Sequence, residues 1–285
     1  MSLGLHYQNE EKIFQEIETG TPYLEYPLFQ HTGIVKHGFS TRLGGVSEGC
    51  YSSLNLSFTR GDNKEAVREN FRRIGAAIGI RCEDMVFTQQ THTANVLAVT
   101  DEERGMGIVR PRNYSDVDGL VTNVPGLCLV TFFADCVPLY FVDPVKKVIG
   151  LSHSGWRGTV GKIGKITVQL MKEKYGSNPS DILAAVGPSI CQECYEVSRD
   201  VIEKFRECFQ ERDWSKLFYR KENGKYQLNL WKANELVFIE AGIPRENIAV
   251  TNLCTHCNSQ ILYSHRTAGD KRGNLCAFLA LRGDM

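Results

Sequence analysis

TFFADCVPLYFVDPVKKVIGLSHSGWRG, residues 131–158, holds the densest set of chemically capable groups in the chain. Cys136 follows Asp135 at the end of one apolar, β-branched and aromatic run, and His153 and Arg157 follow a second run, Val148 to Leu151. Between them Asp143-Pro144 is a turn signal, so the stretch predicts two strands joined by a short connection near residues 143–147. A thiolate held beside an imidazole serves two chemistries: a nucleophile with its base, or two ligands of a soft transition metal. The choice depends on a third group. His92, in the strand-like segment FTQQTHTANV (87–96), is the candidate. Two histidines and a cysteine leave one tetrahedral position open, the pattern of a catalytic rather than a structural zinc site. On spacing alone, a lone cysteine and two distant histidines are more often unconnected core or surface residues.

Outward from that stretch the chain alternates strands with amphipathic helices. Residues 34–42, IVKHGFSTR, read as a strand, and Gly44-Gly45 forces a turn after it. Asp62 and Glu65 fit a capping box ahead of Val67, Phe71, Ile74 and Ile78, and Gly79 closes that helix. Residues 85–99 read as strand material carrying His92, and DILAAVG (181–187) as a buried strand. Asp116 and Asp118 stand two apart before an apolar run, which suits either acid–base work or the shaping of a strand entrance. After HSGWRGT a helix runs to Gly176, placing Arg157 and Gly158 before a helix N-terminus, where unpaired N–H groups attract anions. No register fits a phosphate-binding P-loop, which excludes that mode of nucleoside triphosphate binding.

Ser198 and Asn229 open two further helices, residues 211–226 read as an exposed excursion, and 261–281 as strand, turn and strand. Residues 1–30 form an N-terminal extension with a short edge strand and turn. The expectation is one mixed α/β domain, of α+β type, across residues 1–285, with mixed sheets flanked by helices.

With 42% hydrophobic and 23% charged residues, the composition supplies a sizeable core. Lysine plus arginine and aspartate plus glutamate both number 33, so the basic excess of nucleic-acid or membrane-surface proteins is missing. No apolar stretch is long enough to span a bilayer, and the first residues lack a signal-peptide pattern, so a cytoplasmic protein is expected. Ten cysteines include two C-x-x-C pairs, Cys191/Cys194 and Cys254/Cys257. They could make a four-cysteine zinc site or a disulfide, although about sixty residues part them, far more than in a usual zinc ribbon.

The motifs HGFSTRLGGVS (37–47), QQTH (89–92), DVDGLVT (116–122), ADCVP (134–138), HSGWRGT (153–159), GPSI…CYEV (187–197) and Cys254-Thr255 occur in one order. Together they resemble the YfiH/YlmD, or laccase-domain, family of purine nucleoside phosphorylases, from about residue 37 onward. The resemblance implies a layered fold and makes His92, Cys136 and His153 the ligands of zinc, with copper as the alternative. It implies purine nucleosides and phosphate as partners: phosphorolysis of adenosine, inosine and methylthioadenosine to free base and ribose 1-phosphate, with adenosine deamination beside it. Arg42, Arg157, Gly158 and Arg266 are then the phosphate candidates, with Arg272 a further anion contact. The chain departs from the family's S-Y-R-R at Ser264-His265-Arg266-Thr267, and His265 is not counted as a ligand.

Three other readings stand beside this one. They are a copper polyphenol oxidase, a cysteine hydrolase with Cys136 as nucleophile and His153 as base, and a module that binds without catalysis. No additional His-x-His pairs are present to build a multicopper centre.

Overall fold

Val137–Asp143 and Val148–Ser154 pair antiparallel with Pro138 opposite His153, so the hairpin expected at residues 143–147 is present in the computed structural model, which describes residues 3–283. Every residue of both strands is buried. Successive side chains of a strand face opposite ways, and here both faces are covered. Val137, Leu139 and Phe141 enter one core, while Tyr140 and Val142 enter another. That is why the sequence shows continuous apolar runs rather than alternation.

The hairpin sits in the middle of a six-stranded sheet ordered Ile248–Val250, Leu183–Val186, Val137–Asp143, Val148–Ser154, Gly119–Thr122, Val96–Ala98. A second six-stranded sheet is ordered Gln15–Ile17, Tyr23–Glu25, Val35–Ser40, Leu275–Leu281, Cys128–Phe133, Met85–Phe87. The two stack face to face through a shared core that includes Phe39, Leu129 and Leu279 from one sheet and Tyr140, Ile149 and Leu151 from the other. Helix Lys64–Ile78 covers the outer face of the second sheet with Val67, Phe71 and Ile74. Helices Ile163–Tyr175 and Leu230–Glu240 cover the outer face of the hairpin's sheet with Val168, Met171 and Phe238. The result is four layers, helix–sheet–sheet–helix, in the mixed α/β class expected from the sequence, with a small third sheet of Glu196–Val197, Tyr226–Leu228 and Phe218–Arg220.

Several local expectations are corrected. The first long helix is capped by Asn63, whose side chain accepts from the Glu65 and Ala66 amides. Asp62 instead accepts from Ser47 and Asn55, which ties the preceding loop. Residues 85–99 are two three-residue strands, Met85–Phe87 and Val96–Ala98, that belong to different sheets. Residues 211–226 are not wholly exposed, since Leu217, Phe218 and Tyr226 are buried. Residues 261–264 form no strand; the Ile261 and Leu262 amides turn back onto Asn258, and a short helix, His265–Ala268, follows. No helix among the described residues is long and apolar enough to cross a membrane.

His37, on Val35–Ser40, shows how closely this interior is specified. Its ring is 2% exposed, and Nε2 accepts the Tyr26 amide at 2.7 Å, which requires that nitrogen to be unprotonated. Burial holds its pKa at about 4. Between pH 4 and 6.5 the unfolded chain therefore binds more protons here than the folded one, so stability rises with pH across that window. We expect urea unfolding to show a loss of ~3 kcal/mol from this residue as pH falls from 7 through 4, and His37→Gln to lose that share of the acid sensitivity.

Candidate active site

The chain crosses between the two large sheets four times, and both crossings into the hairpin's sheet carry a reactive residue. His92 lies between Met85–Phe87 and Val96–Ala98, and Cys136 between Cys128–Phe133 and Val137–Asp143. His153 stands near the end of the hairpin's second arm. The Cys136 thiol and one ring nitrogen from each histidine lie within 4.8 Å of one another. His92 Nε2 is 3.9 Å from Cys136 Sγ, and the two imidazoles meet edge to face with centroids 4.9 Å apart. Tetrahedral ligands at ordinary zinc distances stand ~3.6 Å apart, so this N/N/S set fits one borderline-soft ion after a small contraction.

His92 is not in a strand, contrary to the sequence expectation. The cause is Asp118, which is fully buried. Its Oδ2 accepts the Thr91 and Thr93 amides at 3.1 and 3.0 Å and the Thr93 hydroxyl at 2.9 Å. Oδ1 accepts the His92 amide at 3.1 Å and stands 2.8 Å from His153 Nδ1. These amides bind a carboxylate instead of a neighbouring strand, and His92 takes a left-handed φ of 66°. With Nδ1 hydrogen-bonded to Asp118, His153 presents Nε2 to Cys136. Burial raises the Asp118 pKa, but His153 and the loop amides outweigh it and the carboxyl lies below its ordinary value. Burial likewise pushes the Cys136 thiol up, yet the two histidines bring it down to about 6. Burial lowers His153, but Cys136 and Asp118 together lift it to about 9. Both shifts favour the thiolate–imidazolium form of the pair.

Two further constraints fix the geometry. Asp135 adopts φ 85°, a costly conformation for a non-glycine residue, and its carboxylate accepts the Thr255 hydroxyl and the Arg266 amide, each at 2.6 Å. A Cβ on Gly155 would lie 2.9 Å from His92 Cδ2 and 3.2 Å from Cys136 Sγ, so only glycine fits the second position after His153.

The three residues line a pocket of about 500 Å³. Phe58, Phe132 and Tyr195 supply apolar wall, and Arg60, Arg112, Arg266 and Arg272 bring guanidinium groups to the lining. Arg272 is 7% exposed, and burial together with nearby Arg60 lowers its pKa to about 10. The Nε atoms of Arg272 and Arg60 are buried without a hydrogen-bond partner among the described residues.

Residues 36–282 match the profile of the family described as multi-copper polyphenol oxidoreductase laccase. The chain belongs to that family. It is 38% identical over 249 residues to the purine nucleoside phosphorylase YlmD of Bacillus subtilis, covering 86% of this chain and 88% of that one. It is 34% identical over 238 residues to adenosine deaminase RL5 from an unknown prokaryotic organism, covering 82% and 90% respectively. The crystal structure of the YfiH protein of Bacillus licheniformis superposes with a TM-score of 0.89 at 35% identity, covering 95% of this chain and 100% of that one.

Within this laccase-type chain the other sequence candidates divide. Arg266 lines the pocket, with its guanidinium donating to the Glu196 carbonyl. Arg42 does not line it: Nε and Nη2 donate to the Ser52 carbonyl, Nη1 donates to the Ser259 carbonyl, and the group lies 4.6 Å over Tyr263. Arg157 also lies outside the lining, stacked 4.4 Å over Trp156. Gly158 is buried inside the five-residue helix Trp156–Val160, whose cap is Gly155, so it offers no helix start to an anion. Sequence reasoning passed over Arg60 and Arg112, because isolated loop arginines carry no spacing signal. Asp118 was visible as half of Asp-x-Asp, but its role as organiser of His153 and the His92 turn was not.

In metal-free protein, an NMR titration of the His153 ring should show its pKa lowered by both Cys136→Ala and Asp118→Asn, and more by the former, because the thiolate is the larger of the two influences raising it. An unmoved titration in Asp118→Asn would detach the carboxylate from the ring.

Proposed function

We propose that this chain is a zinc-dependent purine nucleoside phosphorylase that also deaminates adenosine. The observation that carries the reading is the convergence of His92, Cys136 and His153 at one side of a pocket whose remaining lining is aromatic and arginine-rich. The names of the similar proteins, purine nucleoside phosphorylase and adenosine deaminase, support it.

In this reading His92 and His153, through their ring nitrogens, and Cys136, as thiolate, hold the ion, which supplies Lewis acidity at the pocket when bound. Asp118 keeps the His153 tautomer fixed, as carboxylates behind ligating histidines commonly do. Phe58, Phe132 and Tyr195 offer π-faces to a purine. Phosphorolysis forms a bond from phosphate oxygen to the ribose anomeric carbon and breaks the bond to the base nitrogen, which takes up a proton. Arg272 and Arg60 are suited to hold the attacking phosphate, since each has a buried Nε still able to donate. They replace Arg42, Arg157 and Gly158 in that role, and Arg266 remains beside them. Substrates in this reading are adenosine, inosine and methylthioadenosine.

A second reading has its own support. A thiol near 6 beside an imidazole near 9 is also the charge state of a cysteine nucleophile. The copper oxidase reading has the family's description behind it, but among the described residues the metal-capable groups are this N/N/S set and one four-cysteine cluster, and neither supplies the further histidines of a multicopper centre.

Incubation with inosine and phosphate should yield hypoxanthine and ribose 1-phosphate, and a chelator should stop it. Cys136→Ala should lose the zinc held by His92, Cys136 and His153 and activity together. Covalent trapping at Cys136 in active, metal-free protein would favour the hydrolase instead.

Arg272→Ala should raise KM for phosphate roughly tenfold or more, from loss of a charge-assisted contact of ~1.5–3 kcal/mol. Adenosine deamination, which consumes no phosphate, should change less. Arg157→Ala should leave the phosphate KM near its starting value. Equal losses in both reactions for Arg272→Ala would remove it from the phosphate site.

A further inference from the structure

Cys191, Cys194, Cys254 and Cys257 form a second cluster outside the pocket. Leu183–Val186 and Ile248–Val250 are parallel neighbours, with Val186 beside Val250, and the pairing extends to a bridge between Ser189 and Cys254. Parallel register carries both chains off the sheet in the same direction. It thereby brings two C-x-x-C segments together, although 63 residues separate Cys194 from Cys257. The four sulfurs lie within 4.8 Å of one another, and Cys194 Sγ is 3.6 Å from Cys257 Sγ. A tetrahedron with zinc–sulfur bonds of ordinary length has edges of ~3.8 Å, so the sulfurs are already spaced for one ion at their centre. All four cysteines are free.

The surrounding amides suit thiolates. Cys254 Sγ accepts the Cys191 amide at 3.3 Å and the Cys257 amide at 3.5 Å. Cys191 and Cys254 are buried, while Cys257 is exposed, which leaves a route for entry. Four thiolates this close repel one another unless a cation lies between them.

We propose that these cysteines form a tetrathiolate zinc site, separate from the His92/Cys136/His153 group and structural in role. The four-sulfur set is closed: it leaves no position for substrate. Its position gives it a task. Ile190, whose amide donates to the Asp135 carbonyl at 3.0 Å, and Tyr195 both line the pocket beside one C-x-x-C. Thr255, whose hydroxyl binds the Asp135 carboxylate, lies within the other. The ion would pin together the two loops that hold the residue preceding Cys136.

The test uses protein purified anaerobically with zinc. Cobalt-loaded Cys136→Ala should show the intense visible bands of a tetrahedral four-sulfur complex, and adding Cys194→Ser and Cys257→Ser should abolish them. Zinc content should fall from one ion per chain to none between the same two proteins. Wild-type protein provides a second measurement that needs no folded variant. Peptide mapping after alkylation should find all four cysteines protected with zinc, and labelled at least tenfold faster after chelation.

Equal labelling with and without zinc overturns the proposal. So does a Cys194–Cys257 disulfide in the anaerobic protein, or cobalt bands that survive the serine substitutions. Because the cobalt and zinc readings are made without Cys136, failure of the catalytic assignment would leave them unchanged.

Discussion

One buried carboxylate organises the reactive end of this molecule. Asp118 has no exposure to solvent, and a charge in that position is costly unless its oxygens are satisfied. Five donors satisfy it: the amides of Thr91, His92 and Thr93, the Thr93 hydroxyl and His153 Nδ1. Four come from the turn that carries His92 and the fifth is the ring of His153. The same group that sets the tautomer of one histidine therefore sets the backbone path that delivers the other. Its own main chain joins in, since the Asp118 carbonyl accepts the His153 amide at 2.7 Å. Loss of the charge would disturb two of the three converging residues at once.

Much of the fold was legible because burial on both faces writes long apolar runs. Val137–Asp143 and Leu275–Leu281 could hardly be anything but interior strands, and the Asp143-Pro144 turn fixed how the hairpin closes. The pairing of the two sheets was not legible, because it depends on where the chain crosses between layers. The crossings at His92 and Asp135 use left-handed backbone on non-glycine residues, which composition does not announce. At the pocket, family motifs pointed to His92, Cys136 and His153, which the fold brings together. The arginines fared differently. Arg42 and Arg157 stand within family motifs, yet one braces Ser52 and Ser259 and the other stacks on Trp156. Arg266 and Arg272, both named from the resemblance, do line the pocket, whereas Arg60 and Arg112 reach it through loop geometry that no local pattern encodes.

The placement of strain is consistent with this picture. His92, Asp116 and Asp135 all have positive φ, and each lies in a segment bound by side-chain hydrogen bonds rather than by a strand ladder. Such conformations persist only where the surroundings over-determine them. The stacked sheets supply that rigidity from below, and Gly155 supplies the space above it. The pocket is accordingly a feature of the joint between layers and not of either sheet alone.

The place of Leu275–Leu281 has a consequence for how the protein is made. This strand lies between Val35–Ser40 and Cys128–Phe133, with Ala277 opposite Phe39 on one side and Thr131 on the other. Until it emerges from the ribosome, the early and middle strands of that sheet have no partner along those edges. The joint that supports His92 and Cys136 must then wait for contacts between residues more than two hundred positions apart, and such distant pairings are slow. During translation the half-built sheet would display open strand edges and an uncovered apolar face, the state in which nascent chains most need shielding from one another.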